Sequence, residues 1–252
     1  MLDFQGSSVL VTGGSRGIGK ATALMFARSG ANVAFTYHVD AKAARALNDE
    51  ISALGRFSLP IRCRVESYAD CSKAVSLAHS EMGAIDVLVN SAGIWRKHPI
   101  SRTSVKDWEQ SIRVNLTGTF NTCRRVVPIM RKQKRGKIIN ISSTAGQRGE
   151  SFHSPYATAK GGIIAFTKSI AVELIRDGIR VNCVAPGWVD TDMVSTVMKK
   201  PDMKRKIMES IPRSQLGKPE DIAGPILFLA SSLSDNIVGE ILNVNGGSVL
   251  CG

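Results

Sequence analysis

The chain has 252 residues, 43% of them hydrophobic, which is ample for one buried core and predicts a single domain over residues 1–252. No apolar run approaches the roughly 20 residues that cross a bilayer, and the N-terminus enters a strand without a basic region or signal-type core, so a soluble, unprocessed, cytoplasmic protein with no membrane partner is expected. The formal charge of +12 concentrates polyanions without choosing among them, while the five cysteines (Cys63, Cys71, Cys123, Cys183, Cys251) and four histidines show no CxxC or HExxH spacing, which argues against a disulfide framework or a metal site.

Short β-branched runs predict strands at Val9–Thr12, Val33–Thr36, Leu59–Cys63, Ile85–Val89, Lys137–Ile141, Ile179–Val184 and Ile241–Val244, with helix-length amphipathic segments between them. Strand and helix alternate to the end of the chain. That pattern predicts an α/β fold of the doubly wound Rossmann type, a parallel sheet of about seven strands with helices on both faces.

After the first strand, TGGSRGIG (Thr12 to Gly19) opens a helix at Lys20. Gly13, Gly17 and Gly19 would let the backbone turn tightly and approach a pyrophosphate held on the helix N-terminus. The second strand ends at Tyr37, where NAD-binding chains carry a carboxylate about 20 residues beyond the glycines. With no acid there, and with Arg16 and His38 nearby, a 2′-phosphate meets donors, so NADP(H) is the preferred cofactor and NAD(H) is left open. Asp40 reads as the N-cap of the helix that follows.

The third strand runs into Arg64 and Val65, and the fourth into VNSAG (Val89 to Gly93), with Ile94 and Trp95 beyond. The long crossover helix carries Asn115 in VNLTGTF and ends in the basic cluster Arg131, Lys132, Lys134 and Arg135. The fifth strand delivers Ser142 and Ser143, two competitors for the hydroxyl at the carboxyl edge of the sheet; Gln147 and Phe152 follow. The next helix begins SPYATAK, with Ser154 as its cap and Pro155 at its first position. Tyr156 and Lys160 then share a helical face, where an ammonium neighbour lowers the pKa of a phenol. The sixth strand ends in Pro186-Gly187, and the Met- and Lys-rich insert 193–211 reads as a mobile substrate lid, with a plain surface helical hairpin as the alternative.

In this order, TGGSRGIG, VNSAG, Asn115, Ser143, YATAK and PGWVDT resemble the motifs of the short-chain dehydrogenase/reductase family over essentially the whole chain. The resemblance implies a catalytic set of Asn115, Ser143, Tyr156 and Lys160. Hydride would pass from a nicotinamide to a carbonyl carbon, Tyr156 would give the proton, the Ser143 hydroxyl would hold the substrate oxygen and Asn115 would hold a relay water. It also implies cofactor contacts. Gly13, Ser15, Arg16, Gly17, Ile18 and Gly19 would cradle the phosphates, and Tyr37, His38, Arg64, Val65, Asn90, Ala92 and Gly93 would line the adenosine side. Tyr156 and Lys160 would face the nicotinamide ribose, and Pro186, Gly187, Val189 and Thr191 the carboxamide. Many members place an aspartate where Arg64 falls, to hold the adenine amine; Arg64 is left to stack on adenine or to pair elsewhere.

Within the family, these motifs and the closing VNGG look most like the members that reduce 3-oxoacyl groups on acyl carrier protein in fatty acid synthesis. An acidic carrier would then dock on Arg131, Lys132, Lys134 and Arg135 together with Lys199, Lys200, Lys204, Arg205 and Lys206, unless these are only solvated helix ends. Ser143, Ile94, Trp95, Gln147, Phe152 and Trp188 are the expected substrate contacts, and their aromatic content keeps a sugar, polyol or small ketone open as the alternative. The complete Asn, Ser, Tyr, Lys set speaks against a nucleotide-binding regulator with a dead site, and no nucleic-acid motif is found among the basic residues. The resemblance further implies a homotetramer, joined through long helices and through the C-terminal strand and tail, where Val249 and Leu250 would sit poorly in water.

Overall fold

The computed structural model describes residues 2–250, so Cys251 lies outside the described residues. Seven strands form one sheet: β1 (Ser8–Thr12), β2 (Asn32–Tyr37), β3 (Ser58–Arg62), β4 (Val87–Asn90), β5 (Gly136–Ile141), β6 (Ile179–Pro186) and β7 (Ile241–Val244). Their order is β3-β2-β1-β4-β5-β6-β7, with every neighbouring pair parallel. The chain therefore winds outward twice from the centre, and the order reverses between β1 and β4. A crevice opens at that switch point beyond the carboxyl ends of the strands, because the connections leave in opposite directions.

The period-two alternation of the strands explains why both faces are apolar. Val9, Val11, Val33, Phe35, Val87, Val89 and Ile139 point to one side, where they pack on α1 (Gly17–Arg28), α2 (Ala41–Ala53) and α10 (Pro219–Ala230). Leu10, Ala34, Leu88 and Ile138 point to the other, against α3 (Tyr68–Met82), α5 (Gly118–Gln133) and α7 (Ser154–Leu174). The remaining helices are α4 (Val105–Ile112), α6 (Thr144–Arg148), α8 (Asp192–Met198) and α9 (Pro201–Glu209). The insert expected as a lid is thus a pair of short helices, α8 and α9.

Two local expectations change. The fourth strand starts at Val87, two residues later than its apolar run, because the Ile85 amide and carbonyl are taken by the Gln133 side chain. The helix of SPYATAK is capped by His153, so Ser154 is its first residue and Pro155 its second. A bridge between His98 and His153, with the His98 amide on the Phe152 carbonyl, sets that start.

A buried polar ladder closes the carboxyl end of the sheet. Asn90 Nδ2 donates to Asn140 Oδ1 (2.9 Å), Thr122 Oγ1 donates to Asn90 Oδ1 (2.6 Å) and Asn140 Nδ2 donates to Thr167 Oγ1 (2.9 Å), tying β4 and β5 to α5 and α7. Asn90→Ala removes the amide donor to Asn140 Oδ1 and the acceptor of the Thr122 hydroxyl in a dry site, while Asn140 keeps Thr167 and Thr122 keeps the Gly118 and Thr119 carbonyls, so urea unfolding should show a loss of about 1–3 kcal/mol; an unchanged midpoint would mean that water replaces the amide.

Candidate active site

A cleft of about 710 Å³ lies over the carboxyl edge of the sheet, walled by the residues that follow β1, β2, β4, β5 and β6. Gly13 turns the chain out of β1 with φ of 64°, and its amide donates to Thr36 Oγ1 at 3.2 Å. A Cβ there would stand 2.7 Å from Ala92 Cα, and a Cβ on Gly19 would collide with the Gly13 carbonyl oxygen. Only hydrogen fits at either place, so the loop lies flat on the VNSAG segment and presents backbone to the cleft. Thr12 Oγ1 accepts from the amides of Ser91 and Ala92 (3.1 and 3.2 Å), which locks the two segments together. This groove, running into the N-terminus of α1, has the form that a dinucleotide pyrophosphate requires.

Of the expected cofactor contacts, Gly13, Ser15, Arg16, Gly17, Ile18 and Gly19 line the cleft. So do Tyr37, His38, Val65, Ala92 and Gly93 on the β2 side, and Pro186, Gly187, Val189 and Thr191 after β6. Two expected contacts lie elsewhere. Asn90 spends its side chain in the buried ladder. The Arg64 guanidinium is bound to Asp70 Oδ2 at 3.0 Å, and this contact, with help from Ser67, holds the Asp70 carboxyl down at about 2. Asp40 lines the cleft as well, but its Oδ1 accepts the Ala43 amide at 2.9 Å, as an N-cap does.

The candidate catalytic residues converge from three elements. Lys160, on α7, is 5% exposed, and its Nζ donates to the Ile141 carbonyl at 2.7 Å while lying 5.7 Å from the centre of the Tyr156 ring. The two serines differ in their surroundings. Ser142 is buried and donates to the Lys160 carbonyl at 2.8 Å, whereas Ser143 opens to the cleft, caps α6 through the Ala145 amide and hydrogen-bonds the Tyr156 phenol. Asn115 sits in a π-helical turn, Arg113–Thr117, between α4 and α5. Such a turn is a local strain found often at functional sites. The Asn115 side chain grips the loop after VNSAG: Oδ1 accepts the Ile94 amide (3.0 Å) and Nδ2 donates to the Ile94 carbonyl (3.1 Å). Gly93 separates Asn115 from Lys160; a Cβ on it would be 2.7 Å from Asn115 Oδ1 and 3.8 Å from Lys160 Nζ.

The electrostatics differ from the sequence expectation. Tyr156 is not lowered by Lys160: burial pushes its phenol up to about 12, the Ser143 hydrogen bond pulls it back and the charge of Glu150 adds to the rise. Burial also pushes Lys160 down to about 8. Loss of water around both groups outweighs their mutual effect, so the phenol keeps its proton at neutral pH.

The substrate side is walled by Ile94, Trp95, Arg148, Glu150, Trp188 and Met193. Gln147 and Phe152, expected there, are turned away. Gln147 Nε2 donates to Asn243 Oδ1 (2.6 Å) beside β7, and Phe152, at φ of 65°, is 57% exposed beneath Lys97 Nζ. Glu150 and Arg148 were missed by sequence reasoning, since a lone charge in a glycine-bearing loop carries no spacing signal. Met193 and Val194 of α8 reach the cleft, which agrees with either reading of the insert. The basic cluster Arg131, Lys132, Lys134 and Arg135 is at the opposite edge of the sheet, because a crossover helix must end where the next parallel strand begins. Arg131 pairs there with Asp177 (2.7 Å) and Glu173 (3.6 Å), and Arg135 with Asp86 (3.0 Å).

Comparison with known proteins gives a consistent family. The family profile described as enoyl-(acyl carrier protein) reductase matches residues 13–248. A 3-oxoacyl-(acyl-carrier-protein) reductase of Synechocystis is 41% identical over 242 residues, 96% of each chain, and one of Aquifex aeolicus is 40% identical over 247 residues, 98% of each. Among solved structures, a putative short-chain alcohol dehydrogenase of Sinorhizobium meliloti superposes with a TM-score of 0.94 at 31% identity, covering 98% of this chain and 97% of that one. The crystal structure of gox2181 gives the same TM-score at 28% identity, covering 98% and 96%.

The depressed Lys160 has a consequence for stability. The unfolded chain holds that proton up to about pH 10.5 and the folded chain only to about 8, so stability rises with pH between those values. Lys160→Met should therefore stabilise the protein by at most about 3 kcal/mol near pH 7, less the lost bond to Ile141, and the gain should fade towards pH 10. Urea unfolding across that range checks this, and a gain that does not vary with pH contradicts it.

Proposed function

The chain belongs to the short-chain dehydrogenase/reductase family, oxidoreductases that act on CH–OH groups with a nicotinamide cofactor, and from that premise we propose that it uses NADPH to reduce the 3-oxo group of an acyl chain carried on acyl carrier protein, giving the 3-hydroxyacyl product in fatty acid synthesis. The observation that carries the reading is the meeting of Ser143, Tyr156 and the buried Lys160 on the wall of the same cleft as the glycine cradle. The relatives named 3-oxoacyl-(acyl-carrier-protein) reductase, about as long as this chain and aligned nearly end to end, carry the choice of substrate.

The glycine cradle, the open N-terminus of α1 and the buried lysine are a donor set that fits a dinucleotide. A bound nicotinamide supplies the hydride. The chain does the rest: Ser143 donates to the carbonyl oxygen as negative charge grows on it, and Tyr156 transfers its proton to that oxygen. Lys160 would hold the ribose hydroxyls and give its own proton towards the spent phenolate, to be reprotonated in turn. Asn115, across Gly93 from Lys160, would hold the water through which that proton arrives. Preference for NADP(H) over NAD(H) is supported by the cleft wall at the end of β2, where Tyr37, His38 and Arg16 line the cleft and the carboxylate of Asp40 is committed to capping α2.

An acidic carrier would approach over α8 and α9, the segment that carries Lys199, Lys200, Lys204, Arg205 and Lys206 and whose Met193 and Val194 line the cleft, and residues 193–211 would close as its lid. A sugar, polyol or small ketone remains the second reading, favoured by the two indoles and the carboxylate on the substrate wall. The free thiols Cys63, Cys71, Cys123 and Cys183 suit a reducing cytoplasm, and no described helix is long and apolar enough to cross a membrane. A homotetramer is supported by apolar side chains left exposed on α4, α5 and α7 (Trp108, Phe120 and Val172) and by Leu250, 89% exposed in the tail.

Steady-state oxidation of NADPH and NADH with acetoacetyl thioesters, on carrier and on coenzyme A, tests the reading. Turnover with NADPH far above NADH, faster on carrier, and a fall of about a thousandfold or more in Tyr156→Phe with NADPH binding retained are expected. Bound NADPH without thioester turnover would move the substrate to sugars, polyols or other ketones. Sedimentation should give a species of four chains, and a monomer would remove the assembly from the proposal.

A further inference from the structure

Three side chains from three segments meet on the substrate wall: Trp95 from the loop after β4, Glu150 from the α6–α7 loop and Trp188 from the loop after β6. Trp95 is clamped. One face stacks on His153 at 4.4 Å with an interplanar angle of 6°, its edge meets Trp188 at 5.8 Å and 87°, and its Nε1 donates to Glu150 Oε2 at 3.2 Å. The Glu150 carboxylate is 23% exposed and lines the same cleft as Tyr156 and Ser143.

The acceptor capacity of this carboxylate is not used up. A carboxylate offers about four lone-pair sites, and the Trp95 indole takes one. His153 Nδ1 comes within 3.5 Å of Glu150 Oε1, but the same nitrogen lies 2.9 Å from the Ser151 carbonyl, which can only accept, so its proton is already committed. Arg148, also on the cleft wall, touches Glu150 through charge alone. A partly buried carboxylate without enough donors is costly, and the cost disappears when a ligand brings one. Its position is rigid because the indole frame holds it, so the acceptor is preorganised rather than recruited.

We propose that Glu150 is the specificity-determining acceptor of the cleft, taking an N–H or O–H donor that the substrate carries near its reacting carbonyl. The inference rests on the reading of the Tyr156 cleft as the site of carbonyl reduction. The donor has two chemical sources, the amide of a thioester arm or the hydroxyl of a hydroxylated ketone, and the indoles pack equally well on the alkyl part of either. Burial raises the Glu150 carboxyl above its ordinary value, as expected of an acceptor short of donors, and its charge in turn keeps the proton on Tyr156.

The test compares the wild type, Glu150→Gln and Glu150→Ala on three probes: S-acetoacetyl-N-acetylcysteamine, which has an amide N–H; dihydroxyacetone, which has hydroxyls; and ethyl acetoacetate, which has neither. For donor-bearing probes kcat/KM should fall about tenfold or more in Glu150→Ala, mostly through KM, and by an intermediate amount in Glu150→Gln, where a neutral acceptor replaces a charged one. The ester should change by less than about threefold, with NADPH affinity unaltered in every variant. Selective loss on the thioester alone, or on the hydroxylated ketone alone, supports the inference and identifies the source. An equal loss on all three probes would make Glu150 a support for Trp95 and His153 and overturn the inference, as would no loss on any. A wild type that reduces none of the probes with NADPH or NADH would overturn the reading of the site itself, and the inference with it.

Discussion

The placement of α7 against the end of β5 is governed by one buried ammonium. Lys160 Nζ reaches back to the Ile141 carbonyl, the last of β5, while the Lys160 carbonyl accepts the hydroxyl of Ser142, the next residue in the chain. Gly146 closes the same joint, since a Cβ on it would be 2.5 Å from the Lys160 carbonyl carbon. Strand end, the short helix α6 and the helix bearing the lysine are thus drawn together at one point. Tyr156, one turn earlier on α7, and Ser143, next after Ser142, are brought into hydrogen-bonding contact because their neighbours are pinned in this way. The buried ladder of Asn90, Asn140, Thr122 and Thr167 does the same work one layer deeper.

The same dryness that makes the joint rigid sorts the protons. Lys160 is shifted towards its neutral form and Tyr156 is held in its neutral form, both by burial, and Glu150 is moved in the same sense. A phenol raised this far is a weaker acid and its phenolate a stronger base, so burial by itself sets no direction of reaction. Sequence reasoning weighed only the attraction between ammonium and phenolate. It had no access to the desolvation that opposes it, which depends on how deeply the helix face is packed.

Much of the fold was legible because it rests on local pattern. Each strand shows as a β-branched run whose alternate residues feed the two apolar faces, and the glycine loop shows because strand and helix flank it. The fourth strand was misplaced by two residues, since Ile85 is apolar and buried without joining the ladder. Within the site, residues tied to a strand end or to a helical spacing, such as Ser143, Tyr156 and Lys160, were found. Three others were misjudged although the loop residues Ile94, Trp95 and Trp188 line the cleft as expected: Phe152 is turned outward by a left-handed backbone, Gln147 is drawn to Asn243, and Glu150 stands between a glycine and a serine with no pattern to mark it. The Ser142 and Ser143 alternative needed the structure, because adjacent residues leaving a strand face opposite ways and only the burial of one decides which faces the cleft.

Charge shows how topology limits what a count can say. The formal charge of +12 invites a search for a polyanion, and the densest run, Arg131 to Arg135, looks the best receptor for one. Helices in a parallel sheet return from the carboxyl edge to the amino edge, so a cluster at the end of α5 is a strand's length away from the chemistry, and its arginines neutralise Asp177, Glu173 and Asp86 there. At about 10 Å of screening length in ordinary salt, such a cluster adds little to the field at the cleft mouth. The cations that can act there are those of α8 and α9: among the described residues Lys199, Lys200, Lys204 and Lys206 have no carboxylate within 4.0 Å, and Arg16 meets Asp192 only at that distance. These cations belong to the same segment as Met193 and Val194, which line the cleft. The position of this segment has a geometric reason: the chain leaves β6 at the carboxyl edge, so it passes the cleft, where Met193 and Val194 line the wall, before α10 carries it back.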